Sequence, residues 1–334
     1  MIPSSRTLIA SLVALTAVGV CGAGSLAATA PSAAPTVAST VPPPDDVATP
    51  DAINEAGEQS STAPYRLEMF IEASLMGMNI DGDTPLATGE FSGEQSQMTM
   101  DLGAMFADVI PADEMPPELR GVDMVMEFVT DGTDFYLRAP FFAALAEMSD
   151  AADPSMQVFT QLGDGWGYVD GTAVPGLDAG SLTGLVGVGG ADPAALFQLL
   201  SEVDGAEQIG TADIRGVSTT GVRADVNLGD LMEAQGTPVA SAGSALDNTT
   251  FPIELWIDKD GFVRRIVMNM NGEAMADAAE ASGEDIPTSM FGDMNMSITM
   301  EMFDYNAADI VIEIPTEFTD ITDDFAEIVP PHGG

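Results

Sequence analysis

From Met294 to Met302 apolar and polar side chains alternate without a break, with Met294, Met296, Ile298, Met300 and Met302 on one parity and Asn295, Ser297, Thr299 and Glu301 on the other. A helix would scatter those methionines around its cylinder, whereas an extended chain sends them all to one face. The same period of two recurs: Tyr65, Leu67, Met69 and Ile71 alternate with Arg66, Glu68 and Glu72, and Val122, Met124, Met126 and Phe128 lie opposite Asp123 and Glu127. Each segment reads as a strand with one side in a core and the other in water. Turn residues separate them. Thr130-Asp131-Gly132-Thr133 precedes Phe135-Tyr136-Leu137, Ile214-Arg215-Gly216 precedes Val217, and Asp258-Lys259-Asp260-Gly261 joins two strand patterns, which implies successive hairpins and an antiparallel meander. Helical signals are fewer. Asp192-Pro193 supplies an N-cap and a first-turn proline to a helix carrying Leu196, Leu199, Leu200 and Val203 on one face, while Phe141 to Met148 and Asp230 to Ala234 are shorter candidates. About ten or eleven strands, with helices inserted after the fifth strand and in mid-chain, predict an α+β fold in which one large, curved antiparallel sheet packs over a few helices.

Composition narrows the functions such a sheet can serve. The 334 residues carry 53 Asp plus Glu against 9 Lys plus Arg, a formal charge of -44. That charge repels phosphate backbones, so no nucleic-acid partner is expected, and it disfavours electrostatic docking on anionic lipid. The 46% hydrophobic content is that of a globular chain, so acidity here does not mean disorder. An excess of acid with Lys259 as the single lysine fits a salty medium that screens self-repulsion. With His332 the only histidine, Ser-His-Asp and Cys-His catalytic sets and histidine-ligated metal sites are excluded; with Cys21 the only cysteine, so is an internal disulfide. No cofactor and no metal are expected. Carboxylates are so abundant that Glu118, Asp123, Glu127 and Glu254 give no signal as general acids or bases.

Organisation follows from the N-terminus. Arg6 precedes an apolar stretch from Leu8 to Val20, too short to span a bilayer, and small residues lead to Ala28-Thr29-Ala30, which marks residues 1–30 as a secretory signal peptide. Two processing routes lead to different destinations: cleavage after Ala30 releases a secreted protein, and lipidation of Cys21 anchors it to the cell membrane. Val20 stands where lipoprotein signals carry Gly, Ala or Ser. Residues 31–64, rich in Pro, Ala, Ser and Thr, read as a disordered tether. Residues 65–329 form the folded domain with no internal linker, and 330–334 are a tail.

Twenty of the 21 methionines lie between Met69 and Met302, many in strands where β-branched residues are the usual choice. A flexible, polarizable thioether suits a deformable apolar lining and an ordinary irregular core alike. The Asp258 to Gly261 turn lacks the terminal Glu of a calcium loop and reads as a hairpin turn.

The run Pro252 to Arg265, PIELWIDKDGFVRR, resembles the late hairpin of actinobacterial envelope lipoproteins of the LppX/LprG type, within the wider LolA-like superfamily. TDFYLRAP at Thr133 to Pro140, GWGYVD at Gly165 to Asp170 and IGTADIRGVSTTGVRADV at Ile209 to Val226 follow the same order, and the resemblance covers most of Tyr65 to Ile314. It implies a half-barrel of about eleven strands wrapped over helices, an apolar cavity for acyl chains, and no catalysis. Members of the group ferry lipids, glycolipids or lipoproteins across the envelope. The expectation is an exported, non-catalytic, monomeric carrier or binding protein that holds acyl chains of a lipid or glycolipid for transport or retention in the cell envelope. Strand parity assigns the lipid contacts to Leu67, Met69, Met98, Met100, Met124, Met126, Met268, Met270, Met296 and Met300. The helices and the Gly184 to Gly190 loop are the expected moving parts. The competing reading is an acidic structural or interaction module of the envelope without a lipid cargo.

Overall fold

The computed structural model describes residues 49–75, 78–80, 82–103, 119, 121–148, 154–174, 206–227, 250–272 and 295–328. Its first element is a helix, α1 (Pro50–Thr62), followed by β1 (Tyr65–Leu75), β2 (Met78–Ile80), β3 (Ala87–Ser92), β4 (Gln95–Asp101), β5 (Val125–Asp131) and β6 (Asp134–Arg138). Two helices, α2 (Pro140–Met148) and α3 (Pro154–Leu162), lead to β7 (Gly167–Asp170). The remaining elements are β8 (Glu207–Ile214), β9 (Val217–Asn227), β10 (Thr250–Asp258), β11 (Val263–Asn271), β12 (Asn295–Phe303), β13 (Thr319–Asp320) and α4 (Thr322–Ile328).

All thirteen strands join one sheet, in the order β13-β7-β6-β5-β4-β3-β1-β12-β11-β10-β9-β8, with β2 paired to β1 off this path. The sheet is open, a half-barrel as expected. Its strand count exceeds the expected ten or eleven because β2 and β13 are only three and two residues long, below what periodicity can register. It is mixed, since β13 runs parallel to β7 while the other pairings are antiparallel. The chain's two halves meet where β1 lies against β12, so the first and last long strands form the middle of the sheet.

The predicted turns are in place. Arg215 (φ 51°) and Gly216 (φ 82°) both occupy the left-handed region, as a two-residue type I′ hairpin between β8 and β9 requires. At the β10–β11 turn the buried Asp258 carboxylate accepts hydrogen bonds from the Asp260 and Phe262 amides at 2.8 and 3.0 Å and from Arg264 Nε at 2.7 Å. That ring of donors is why an acid is buried there, and it makes the segment a hairpin turn.

The expected tether needs correction, because residues 50–62 are helical. Thr49 caps the helix by accepting from the Ala52 amide at 3.3 Å, Pro50 starts it, and Ile53, Ala56, Gly57 and Ser60 form a buried stripe at spacings of three and four. One isoleucine among small residues is too weak an apolar period to see in the sequence, yet small residues let the helix approach β11 closely. Ser60 Oγ accepts from the Val263 amide at 2.9 Å and donates to the Ala56 carbonyl, and Gln59 Nε2 donates to the Asp260 carbonyl at 2.8 Å. The short helix expected at Phe141 is α2; α3 was not expected. β5 begins at Val125, so Val122 and Met124 precede the strand they were assigned to, although both pack on its core. The helices expected at Asp192 and Asp230, the Gly184 to Gly190 loop, Cys21 and His332 lie outside the described residues.

Candidate functional site

Register sorts every strand into an inner side, toward the helices, and an outer side. The central inner row crosses eight strands: Val222, Leu255, Ile266, Met300, Met69, Ala87, Met100 and Met126. None of the eight is more than 3% exposed, so this row is sealed.

On one side of that row the inner face closes with aromatic rings. Tyr65 stacks on Phe91 with centroids 4.7 Å apart and meets Tyr305 at 5.5 Å, and Tyr305 stacks on Phe262 at 4.4 Å. Tyr305 OH donates to the Val263 carbonyl at 2.6 Å, and burial pushes its phenol above the ordinary value. Helix α1 adds Ile53 and Ala56 to the same core. Toward β4–β6, Met98, Phe128 and Leu137 continue this side only half-buried, near Phe142 of α2 and Phe159 of α3, whose rings meet at 5.1 Å.

On the other side the lining changes to aliphatic and thioether groups. Ile253, Met268 and Ile298 are still buried, but Ile71, Met124, Met270 and Met296 are only partly so. Met270 and Met296 are register partners, Ala73 faces Met296 across β1, and the Met124 carbonyl accepts from the Leu102 amide at 3.0 Å.

All ten residues assigned by strand parity thus belong to one apolar cluster: Leu67, Met69, Met100, Met126, Met268 and Met300 inside it, and Met98, Met124, Met270 and Met296 against it with surface still open. Parity could not separate these two sets, because burial depends on which helix covers each row. It also omitted Ile71, Phe128 and Leu137, which share that parity, and Phe142 and Phe159, which come from helices.

The outer side carries the charge chemistry. One row reads Trp256, Arg265, Glu301 and Glu68 across β10, β11, β12 and β1. Glu301 accepts from Arg265 at 2.6 Å and from Arg215 at 2.7 Å, and Arg215 also reaches Glu68 and lies 3.9 Å above the Phe303 ring. Burial alone would raise the Glu301 carboxyl, but the two arginines more than offset it and hold it below the usual carboxylate range. Gly221 accommodates the Trp256 indole, where a Cβ would stand 2.8 Å from the ring. The next row reads Phe303, Arg66, Glu90, Gln97, Val129, Tyr136 and Tyr168.

Among the described residues no group of three His, Cys, Asp or Glu side chains is arranged to hold a metal, and no helix is long and apolar enough to cross a membrane. Fold and faces together define an open α+β half-barrel with an apolar inner face and an arginine-clamped outer one. No protein-family model matches the sequence, and no curated protein does. Among solved structures the chain is similar to the Mycobacterium tuberculosis lipoprotein LppX, with 14% identity and a TM-score of 0.38 over 80% of this chain and 100% of that one. It is similar to LprF from Mycobacterium bovis, with 10% identity and a TM-score of 0.37 over 80% and 96%. A LolA superfamily protein from Nitrosomonas europaea matches at 6% identity and a TM-score of 0.22 over 81% and 96%.

Proposed function

We propose that the chain is an exported, non-catalytic carrier or binding protein that holds acyl chains of a lipid or glycolipid against the Met-rich inner face, for transport or retention in the cell envelope. The observation that supports this reading is the half-buried apolar band of Ile71, Met124, Met270 and Met296 beside a fully sealed row. Unbranched thioethers adapt to a flexible guest at little cost, and a face left partly open has apolar surface to share with one. Of the ten residues assigned to the cargo, Met98, Met124, Met270 and Met296 are the ones a chain would touch first. The other six hold the sheet against its helices.

Moving a methylene out of water is worth about 0.8 kcal/mol, so a sixteen-carbon chain would gain roughly 12 kcal/mol. A bilayer offers a similar gain, so exchange with a membrane would be nearly balanced, and the barrier would lie in uncovering the face. Residues 1–30 direct export, and Cys21 lipidation or cleavage after Ala30 decides between anchoring and secretion. The folded chain acts as a monomer. Native mass spectrometry of protein from its own host should find a co-purified lipid, and fluorescent fatty-acid probes should displace it. Protein that arrives empty and refuses the probes would refute the reading. It would favour the second one, an acidic interaction module, toward which the depth of burial of six of the ten residues points.

A further inference from the structure

Between β12 and β13 the chain crosses the outer face as a strap. Arg66 on β1 ties its start, reaching Asp304 at 2.9 Å and Asp309 at 3.1 Å. The Glu313 amide donates to Gln97 Oε1 of β4 at 3.5 Å. Phe318 then rests on Tyr136 of β6 and Tyr168 of β7, with centroids 5.5 and 5.0 Å apart, and β13 pairs with β7. The strap therefore follows the outer row from Arg66 to Tyr168. Crossing from β1 to β7 spans about 24 Å at the usual strand spacing, so the segment from Asp309 to Phe318 must be nearly extended.

Its side chains alternate as a strand's do. Ile310 is buried and Ile312 and Ile314 are half-buried, while Val311 and Glu313 face solvent. Yet this segment has no strand beside it: the Glu313 bond to Gln97 is the only hydrogen bond to the backbone of Val311 to Ile314 among the described residues. Val311 at 64% and Phe318 at 47% are also the exposed large hydrophobic residues of the described structure. Around them Asp309, Glu313, Glu317 and Asp320 are exposed, and no Lys or Arg occurs in the sequence after Arg265. Arg66, which ties the start of the strap, is taken up by Glu90, Asp304 and Asp309.

We propose that the strap from Val311 to Ile314 is a docking edge for an extended, basic polypeptide segment of a partner protein, which pairs with its backbone and sets aliphatic side chains beside Val311 on the solvent side. An exposed strand with free backbone donors and acceptors is a template for strand addition, and the alternating side chains supply specificity. The acidic rim selects a partner rich in lysine or arginine and repels a second copy of this chain.

The test uses the full chain and a synthetic peptide of alternating lysine and valine, followed by calorimetry and amide hydrogen exchange. Binding should slow exchange at Val311 to Ile314. Methylating the peptide's backbone nitrogens along one edge, or replacing its lysines by glutamate, should weaken binding by about tenfold or more. The Val311→Asp variant should lose binding to a similar extent while keeping its circular dichroism, and Val311→Ser serves as a second variant. Equal binding by the backbone-methylated peptide or by Val311→Asp would overturn the proposal. So would protection of the strap by self-association without peptide, seen as a dimer in sedimentation.

Discussion

The two ends of the inner face differ although one sheet builds both. At the Tyr65 end, Phe91, Tyr65, Tyr305 and Phe262 follow one another as a chain of flat rings, each within 5.5 Å of the next, and a hydrogen bond from Tyr305 to Val263 fixes the stack. At the Met296 end the inner face presents Ile71, Met124, Met270 and Met296, none of them aromatic and none fully covered. Rigid aromatics with few rotors close an end for good; thioethers with three rotors leave one adaptable. A single face can therefore combine a structural plug and an adaptable lining.

The largest effect should come from breaking the plug. Tyr65→Ala removes the ring between Phe91 and Tyr305 and is expected to cost about 3–5 kcal/mol in urea unfolding. If it costs as little as a methionine at the other end, the plug is not structural. A control on the outer face comes next: Glu301→Gln leaves Arg215 and Arg265 short of a carboxylate and should cost about 1–3 kcal/mol without changing uptake of a fatty-acid probe. The same residue sets a pH dependence. Since the folded Glu301 carboxyl sits below its unfolded value, its stabilisation is complete above about pH 4.3 and is lost as pH falls through the folded value. Acid unfolding followed by fluorescence should therefore be less steep in Arg215→Ala than in the natural chain.

Smaller still, Tyr305→Phe deletes the hydroxyl bonded to Val263 and should cost about 1 kcal/mol, again sparing probe binding. The smallest stability effect is expected at the adaptable end. Met270→Ala and Met296→Ala should each cost within about 1 kcal/mol, because the sites are only half-buried, yet together they should weaken fatty-acid probe binding about tenfold. Equal probe binding by that double variant would erase the functional difference between the ends.

Much of the sheet was legible beforehand because strand parity is a local property. Met296, Ile298, Met300 and Met302 had to share a face whatever lay above it, and the Arg215-Gly216 and Asp258 to Gly261 turns announce hairpins through φ and side-chain chemistry alone. Helices α1 and α3 were not legible. Each shows its apolar stripe only weakly, and each becomes a helix with a buried face through the surface it meets: β11 for α1, and Val169, Ile321 and Phe325 for α3. The strap was not legible either. Ile310 to Ile314 alternate like any strand, and nothing nearby says that they will lie across the sheet instead of within it.

The sequence by itself determined the excess of acid over base and which side chains of each strand point the same way, because those depend on composition and on the two-residue repeat of an extended backbone. Only the tertiary structure decided which rows are sealed, which end is plugged by rings, and which methionines keep open surface. Those properties belong to contacts between residues as distant in the chain as Tyr65 and Tyr305 or Ser60 and Val263, and burial is a sum over neighbours that no local pattern contains.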